Sequence, residues 1–144
     1  MDSVFSSVNR SAYPPPVPPE SVTYGEFLRQ NPAEGNLKIQ ASRAHRALPT
    51  AGVEVVVARQ FLDQRVLFFR GKTDEDGLID SVILPAPPRR DSLAPSQAQH
   101  GARYQVFARC PGFLPESHEA EIFAGVTSIL PISMRVLQED TPWL

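Results

Sequence analysis

Cysteine and histidine are scarce in this chain of 144 residues, and their scarcity excludes several kinds of site. Cys110 is the single cysteine, so the chain can form no internal disulfide and can build no cysteine–histidine zinc site. The three histidines, His45, His100 and His118, form neither an H-x-H nor an H-E-x-x-H arrangement. The G-x-S-x-G turn that carries a nucleophilic serine is also missing. We therefore expect no catalytic residue, no cofactor and no metal, and we do not expect an enzyme.

A strong charge and a long apolar run are missing as well. The formal net charge is −2, whereas nucleic-acid-binding domains usually carry a clustered basic excess, so we expect no nucleic-acid partner. No stretch approaches the roughly 20 apolar residues of a membrane span. The first 20 residues have an acid at position 2 and no apolar run, unlike a secretory signal peptide. These features favour a cytoplasmic or spore-associated protein over a secreted one.

Proline, by contrast, is abundant, and it concentrates at the beginning of the chain. Five of the 15 prolines lie within the first 20 residues and favour an extended, polyproline-like arm that serves as a spacer or docks on an aromatic groove. A short helix over residues 24–30 follows, because Thr23 and Glu26 have the spacing of a capping box and Pro32 ends the element. Phe27 and Leu28 are expected to pack this helix on the domain. Residues 1–34 are thus predicted to be a Pro-rich arm with a short helix.

From residue 35 onward the pattern has a period of two. Leu37, Ile39 and Ala41 alternate with polar residues, as in a strand with one buried face. Seven segments of this kind follow one another between turn signals: NLKIQAS, GVEVVVAR, RVLFFRGKT, LIDSVILP, ARYQVFAR, SHEAEIF and VTSILPISMRVL. This spacing predicts an all-β fold, a seven-stranded antiparallel β-sandwich with Greek-key connections over residues 35–138, and a tail over 139–144. Within it, residues 85–101 form a long connection without a regular pattern.

An acidic turn, Asp74-Glu75-Asp76-Gly77, separates two of the predicted strands. An EF-hand calcium loop would need an acid at its first position and a glutamate at its twelfth, where this chain has Lys72 and Ile83. We therefore predict a structural turn, in which Gly77 takes a positive φ and the acids bind N–H groups of the turn itself.

Several segments, taken in order, resemble the motifs of one fold family. These segments are LPTAGVEVVV (48–57), KTDEDGLI (72–79) and YQVFARCPGF (104–113). They are similar to the strands and turns of the transthyretin-like, or prealbumin-like, sandwich known as the carboxypeptidase regulatory-like domain. The closing segment, IFAGVTSILPISM (122–134), resembles copies in envelope- or spore-associated proteins of Gram-positive bacteria. The family has an enzymatic branch, the hydroxyisourate hydrolases, which end in a YRGS-like motif, whereas this sequence ends in EDTPWL.

The resemblance implies an accessory role, since this domain serves most of its relatives as a spacer or a binding surface. We expect a non-catalytic protein-interaction, spacer or structural module in a bacterial envelope, spore or secretion-related assembly, with an unidentified protein partner. The alternative is a carbohydrate- or peptidoglycan-binding accessory module, with a polysaccharide as the ligand. The residues predicted to bind a partner are Tyr13, Pro14, Pro15, Pro16, Phe61 and Trp143.

Deleting residues 1–20 should leave the melting temperature of the domain nearly unchanged. This segment has no apolar periodicity, and its prolines cannot donate backbone hydrogen bonds to a sheet. Thermal unfolding of the full chain and the truncated chain, followed by circular dichroism, measures the difference. A truncated chain that is unfolded at room temperature would show that the arm belongs to the core.

Overall fold

The computed structural model describes residues 21–89 and 100–137, which form one short helix and two β-sheets. The elements are α1 (Tyr24–Gln30), β1 (Ala33–Arg43), β2 (Leu48–Pro49), β3 (Glu54–Gln60), β4 (Arg65–Lys72), β5 (Leu78–Ala86), β6 (Ala102–Arg109), β7 (Glu116–Ile122) and β8 (Thr127–Ser133). The predicted all-β sandwich is confirmed, with eight strands rather than seven. The additional strand is β2, whose two residues pair with the end of β1 and are too few to show an alternating pattern. No helix in the described ranges is long and apolar enough to cross a membrane.

The two sheets differ in how their strands pair. The second sheet has the order β4-β3-β6-β7 and is antiparallel throughout. In the first sheet β1 is central, with β2 and β5 antiparallel to it and β8 parallel to it. The parallel pair is a departure from the predicted antiparallel sandwich. It arises because the chain passes from β7 in one sheet to β8 in the other, and so reaches β1 by a crossover rather than by a hairpin.

Alternating side chains of both sheets fill the core between them. Leu37, Ile39 and Ala41 of β1 are buried, as their spacing predicts. Val55 and Val57 of β3 face them from the second sheet and are fully buried. A polar contact also joins the sheets, since the Tyr104 hydroxyl on β6 donates a hydrogen bond to the Pro85 carbonyl oxygen on β5. Burial of the Tyr104 ring raises the pKa of its hydroxyl.

Helix α1 begins and ends where the sequence predicts. The Thr23 hydroxyl accepts a hydrogen bond from the Glu26 amide at 3.1 Å, and the Glu26 carboxylate accepts one from the Thr23 amide at 3.0 Å, which completes the capping box. Phe27 is only 2% exposed, but Leu28 is 40% exposed, so the prediction that both residues pack the helix on the domain is wrong for Leu28. Consecutive residues of a helix point about 100° apart, and only one of these two can face the sheets.

An aromatic cluster lies under the helix and closes one end of the sandwich. The Phe27 ring lies 5.0 Å from Phe61 and 6.0 Å from Tyr104, measured between centroids, in tilted and edge-to-face arrangements. The Arg59 guanidinium covers the Phe27 ring at 4.4 Å. Phe27 therefore anchors the helix to the second sheet, through contacts with Tyr104 on β6 and with Phe61 in the connection after β3.

The acidic turn is structural, as predicted. One Asp74 side-chain oxygen, Oδ1, accepts hydrogen bonds from the amides of Asp76 and Leu78, each at 2.9 Å. Gly77 has a φ of 76°, and a Cβ at this position would lie 2.3 Å from the Ala41 carbonyl oxygen. The turn thus packs against β1, and its first acid is engaged with the backbone.

A short segment after β8 connects the two sheets at the opposite edge. The Met134 amide donates to the Ser42 carbonyl at the end of β1, in the first sheet. The Leu137 amide then donates to the Gly112 carbonyl in the turn between β6 and β7, in the second sheet. The predicted boundaries at residues 34 and 138 stay predictions, although β1 already begins at Ala33.

Replacing Phe27 by alanine should lower the free energy of unfolding by about 3–5 kcal/mol, the usual cost of removing a fully buried phenylalanine. Leu28→Ala on the same helix is the matched control and should cost much less, because that side chain is exposed. Chemical denaturation of both variants measures the two costs. Equal costs would show that α1 is not held by Phe27.

Candidate functional site

The outward face of the second sheet brings charged residues from three strands together. Glu54 on β3 lies opposite Lys72 on β4 and opposite Arg109 on β6. Two residues further along β3, Val56 lies opposite Arg70 and Phe107, and Phe107 lies opposite Ser117 on β7. Because alternate residues of a strand share a face, these rows lie on the face turned away from the core.

Glu54 is the centre of this charged group. Its Oε1 accepts a hydrogen bond from Arg109 Nε at 2.6 Å, and its Oε2 accepts one from Arg70 Nε at 2.8 Å. These hydrogen bonds, that from Arg109 foremost, hold the pKa of the Glu54 carboxyl below its usual value. The Glu54 side chain is 18% exposed, against 59% for Arg70 and 72% for Arg109. Solvent therefore meets the guanidinium groups rather than the carboxylate.

A cleft of about 510 Å³ opens beside this ion pair, and we refer to it as the main cleft. Its floor is apolar, and charged side chains from β3, β4, β6 and β7 surround it. The lining residues are Glu54, Val56, Arg70, Phe107, Ala108, Arg109, Pro115, Glu116 and Ser117. This volume lies within the range of small-molecule sites, which runs from about 300 to 1,000 Å³.

A second acid, Glu116, also lines the main cleft. Its Oε2 accepts a hydrogen bond from Arg135 Nε at 2.9 Å, and His118 Nε2 lies 3.6 Å from its Oε1. The Glu116 side chain is 13% exposed. His118 Nε2 is itself buried and has no hydrogen-bond partner among the residues of the described ranges. Both acids of the cleft are thus engaged by cationic or ionisable side chains.

A smaller cleft of about 420 Å³ adjoins the main cleft, and we refer to it as the side cleft. Glu54 and Arg109 line both clefts and form the wall between them. The other lining residues of the side cleft are Gly52, Lys72, Cys110 and Pro111. Cys110 is half-buried, as expected for a small residue at the β6–β7 turn.

The structure contradicts one of the predicted partner contacts, Phe61, because its side chain is not exposed. Phe61 is 1% exposed and packs against Tyr24 and Phe27, because it follows β3 directly and its ring turns under helix α1. It is therefore a core residue rather than a contact for a partner. The other predicted contacts lie outside the described residues, and their role stays a prediction: Tyr13, Pro14, Pro15, Pro16 and Trp143.

The residues of the main cleft were not identified from the sequence. The period of two does place Glu54, Arg70 and Arg109 on outward faces, but it does not show which strands are neighbours or how they are aligned. Arg109 is 55 residues from Glu54 in the chain, and the hydrogen bond between them depends on the β3–β6 pairing. The one available signal is the density of cations on β3, β4 and β6, which hold six of the 14 arginine and lysine residues.

Comparison with known proteins gives a structural match and no sequence match. A scan against protein-family models finds no match, and no curated protein is significantly similar to the chain. Among solved structures, the chain is similar to the 5-hydroxyisourate hydrolase of Klebsiella pneumoniae, with 16% identity and a TM-score of 0.47. The alignment covers 72% of this chain and 92% of that chain. The two-sheet sandwich described above is consistent with the transthyretin-like fold that the sequence motifs resemble. The resemblance to Gram-positive envelope- or spore-associated copies gains no support from these comparisons and stays a prediction.

The match corrects two expectations drawn from the sequence, that the chain is a non-catalytic module and that it is not an enzyme. The matched structure is that of a hydrolase. In the main cleft, ionisable side chains meet across strands without any motif along one segment, so a missing sequence motif does not identify a non-catalytic chain. A likeness at this level transfers no residue, substrate or reaction to this chain.

Replacing Arg109 by glutamine should raise the pKa of Glu54 toward the ordinary carboxyl value of 4.5. Arg70→Gln should raise it less, because the Arg109 hydrogen bond is the larger cause of the lowering. A carboxyl with a lowered pKa stabilises the fold above its ordinary pKa, and that contribution is lost as the pH falls through the lowered value. Carbon-detected NMR titration of the carboxyl measures the pKa, with Glu54→Gln assigning the signal. An unchanged pKa in Arg109→Gln would show that the ion pair does not form in solution.

Proposed function

We propose that the main cleft binds a small organic anion, in which a carboxylate or phosphate group is attached to an apolar or aromatic body. The observation that carries this proposal is the pair of exposed guanidinium groups, Arg70 and Arg109, above an apolar floor. Planar guanidinium groups match the geometry of carboxylate and phosphate oxygens and can donate two parallel hydrogen bonds to them.

The arginines have donors to spare for a ligand. Arg109 contacts Glu54 through Nε alone, and within residues 21–89 and 100–137 its two terminal nitrogens have no hydrogen-bond partner. Arg135 likewise contacts Glu116 through Nε, and its side chain is 67% exposed. A guanidinium carries five N–H groups, so each of these residues can hold its glutamate and still donate to an incoming anion.

The acids of the cleft are poorly placed to bind a cationic ligand. Both oxygens of Glu54 accept hydrogen bonds from arginines, and both glutamate side chains are less than one-fifth exposed. An ammonium ligand would have to displace a guanidinium to reach either carboxylate. An anion meets no such competition, because the exposed atoms at the rim are N–H donors.

The floor of the cleft favours an anion with an apolar body. Val56, Phe107 and Pro115 line it and are available to a ring or an alkyl group. The Arg65 guanidinium lies 5.4 Å from the centre of the Phe107 ring, so one edge of this aromatic surface already carries a cation. Burial of apolar area would add to binding at roughly 25 cal/mol per Å².

Benzoate, phenyl phosphate and the neutral benzyl alcohol form a test series for this site. We expect the two anions to shift the amide NMR signals of residues 54–56 and 107–109 in a saturable titration, and benzyl alcohol to bind much more weakly. Arg109→Gln should weaken benzoate binding about tenfold, since a hydrogen bond to a charged group contributes about 1.5–3 kcal/mol. Binding should also weaken with added salt, because the cleft is open to solvent.

Arg103→Gln is the matched control for the arginine substitution. Arg103 lies on the same strand and the same face as Arg109, is 53% exposed and contacts Glu119 at 4.0 Å, but does not line the main cleft. It should leave benzoate binding unchanged. Equal losses in the two variants, or equal affinities for benzoate and benzyl alcohol, would contradict an anion site in the main cleft.

A further inference from the structure

Lys72 lines the side cleft and forms no ion pair within the described ranges. It is exposed and lies directly opposite Glu54 across the β3–β4 pair. Within the described ranges no ion pair joins it to any carboxylate, because Glu54 is held by the two arginines instead. Its ammonium group is therefore available to a ligand that reaches over the wall between the clefts.

The spacing of the cations across this wall is set by the strand geometry. Arg70 lines the main cleft only, and Lys72 lines the side cleft only. They are two residues apart on β4 and share its outward face, so their Cα atoms are on the order of 7 Å apart. Arg109 lines both clefts and lies across from them on β6.

The wall between the clefts does not repel an anion as strongly as a free carboxylate would. It consists of Glu54 and Arg109, and Arg70 also binds the same carboxylate. Two guanidinium charges thus accompany one carboxylate charge at the boundary. A second anionic group can pass this point and end beside Lys72 without facing an unpaired negative charge.

We propose that the ligand of the main cleft is a dianion, with one anionic group at Arg70 and Arg109 and the second at Lys72 and Arg109 in the side cleft. This inference rests on the proposed function, because it names the class of anion that the same site prefers. Lys72 then determines specificity: it adds nothing to the binding of a monoanion and favours a ligand whose two charges are separated by roughly the width of a ring.

Three aromatic carboxylates separate this proposal from simple charge attraction. Benzoate has one carboxylate, phthalate has two adjacent carboxylates, and terephthalate has two at opposite ends of the ring. Terephthalate should bind about threefold to fivefold more tightly than benzoate, the size of effect typical of one solvent-exposed ion pair. Phthalate has the same charge as terephthalate but cannot reach both clefts, so it should gain less.

The decisive variant is Lys72→Gln, compared with Lys38→Gln on β1 as the matched control. Lys38 lies in the other sheet, away from both clefts. Lys72→Gln should remove the advantage of terephthalate and leave benzoate binding unchanged, whereas Lys38→Gln should leave both unchanged. NMR titrations of the full chain, at one ionic strength, provide all the affinities.

The outcomes distinguish this inference from the proposed function. If benzoate binds and terephthalate binds no more tightly than phthalate, the dianion proposal is wrong while the anion site stands. A similar loss of benzoate affinity in Lys72→Gln would also overturn it, since Lys72 would then belong to the first anion's contacts. If none of the three carboxylates binds, the proposed function itself fails.

Discussion

The alternation of residues along β3 is the constraint on which both the core and the candidate site depend. Val55 and Val57 face the opposite sheet and are fully buried, while Glu54 and Val56 between them face outward. A shift of the strand by one residue would place a carboxylate in the core, so burial of the valines fixes the register. That register in turn places the arginines of β4 and β6 beside one carboxylate. The stability of the sandwich and the geometry of the clefts therefore have a common origin.

The two ends of the sandwich are closed in different ways. At one end the closure consists of packed aromatic rings. The short helix contributes one buried side chain, Phe27, which packs on Phe61 and Tyr104. At the opposite edge, backbone hydrogen bonds of residues 134–137 join the end of β1 to the β6–β7 turn. This second closure lies close to the main cleft, because Arg135 belongs to it and binds Glu116. The cleft is thus supported by the first sheet even though its lining comes from the second.

Much of the fold could be predicted from the sequence, because its signals are local. The capping box of α1, the acidic turn with Gly77 and the seven longer strands each depend on residues a few positions apart. Strand β2 was not predicted, because two residues are too few to show a period of two. The β1–β8 pairing was not predicted either, because no turn signal connects parallel neighbours. Leu28 was placed wrongly because adjacent apolar residues of a short helix cannot be ranked without the surface they meet.

The candidate site depends on long-range pairing and could not be predicted in the same way. Arg70 and Arg109 are 16 and 55 residues from the glutamate that they bind. Motif-based reasoning looks for chemistry within one segment, and it does not detect side chains that meet only through strand pairing. Phe61 shows the opposite error: a partner contact is predicted at this residue from the sequence, whereas its ring is buried under the helix.

The parallel pairing of β8 with β1 has a consequence for how the protein forms. Asn36 on β1 and Thr127 on β8 are side-chain hydrogen-bond partners separated by 91 positions in the chain. Contacts of such high contact order are slow to form, because a long loop must close before they contribute any stability. During synthesis, β1 leaves the ribosome long before its parallel neighbour β8 has been made. The edge of β1 that pairs with β8 therefore stays without its partner until residues 127–133 have been synthesised.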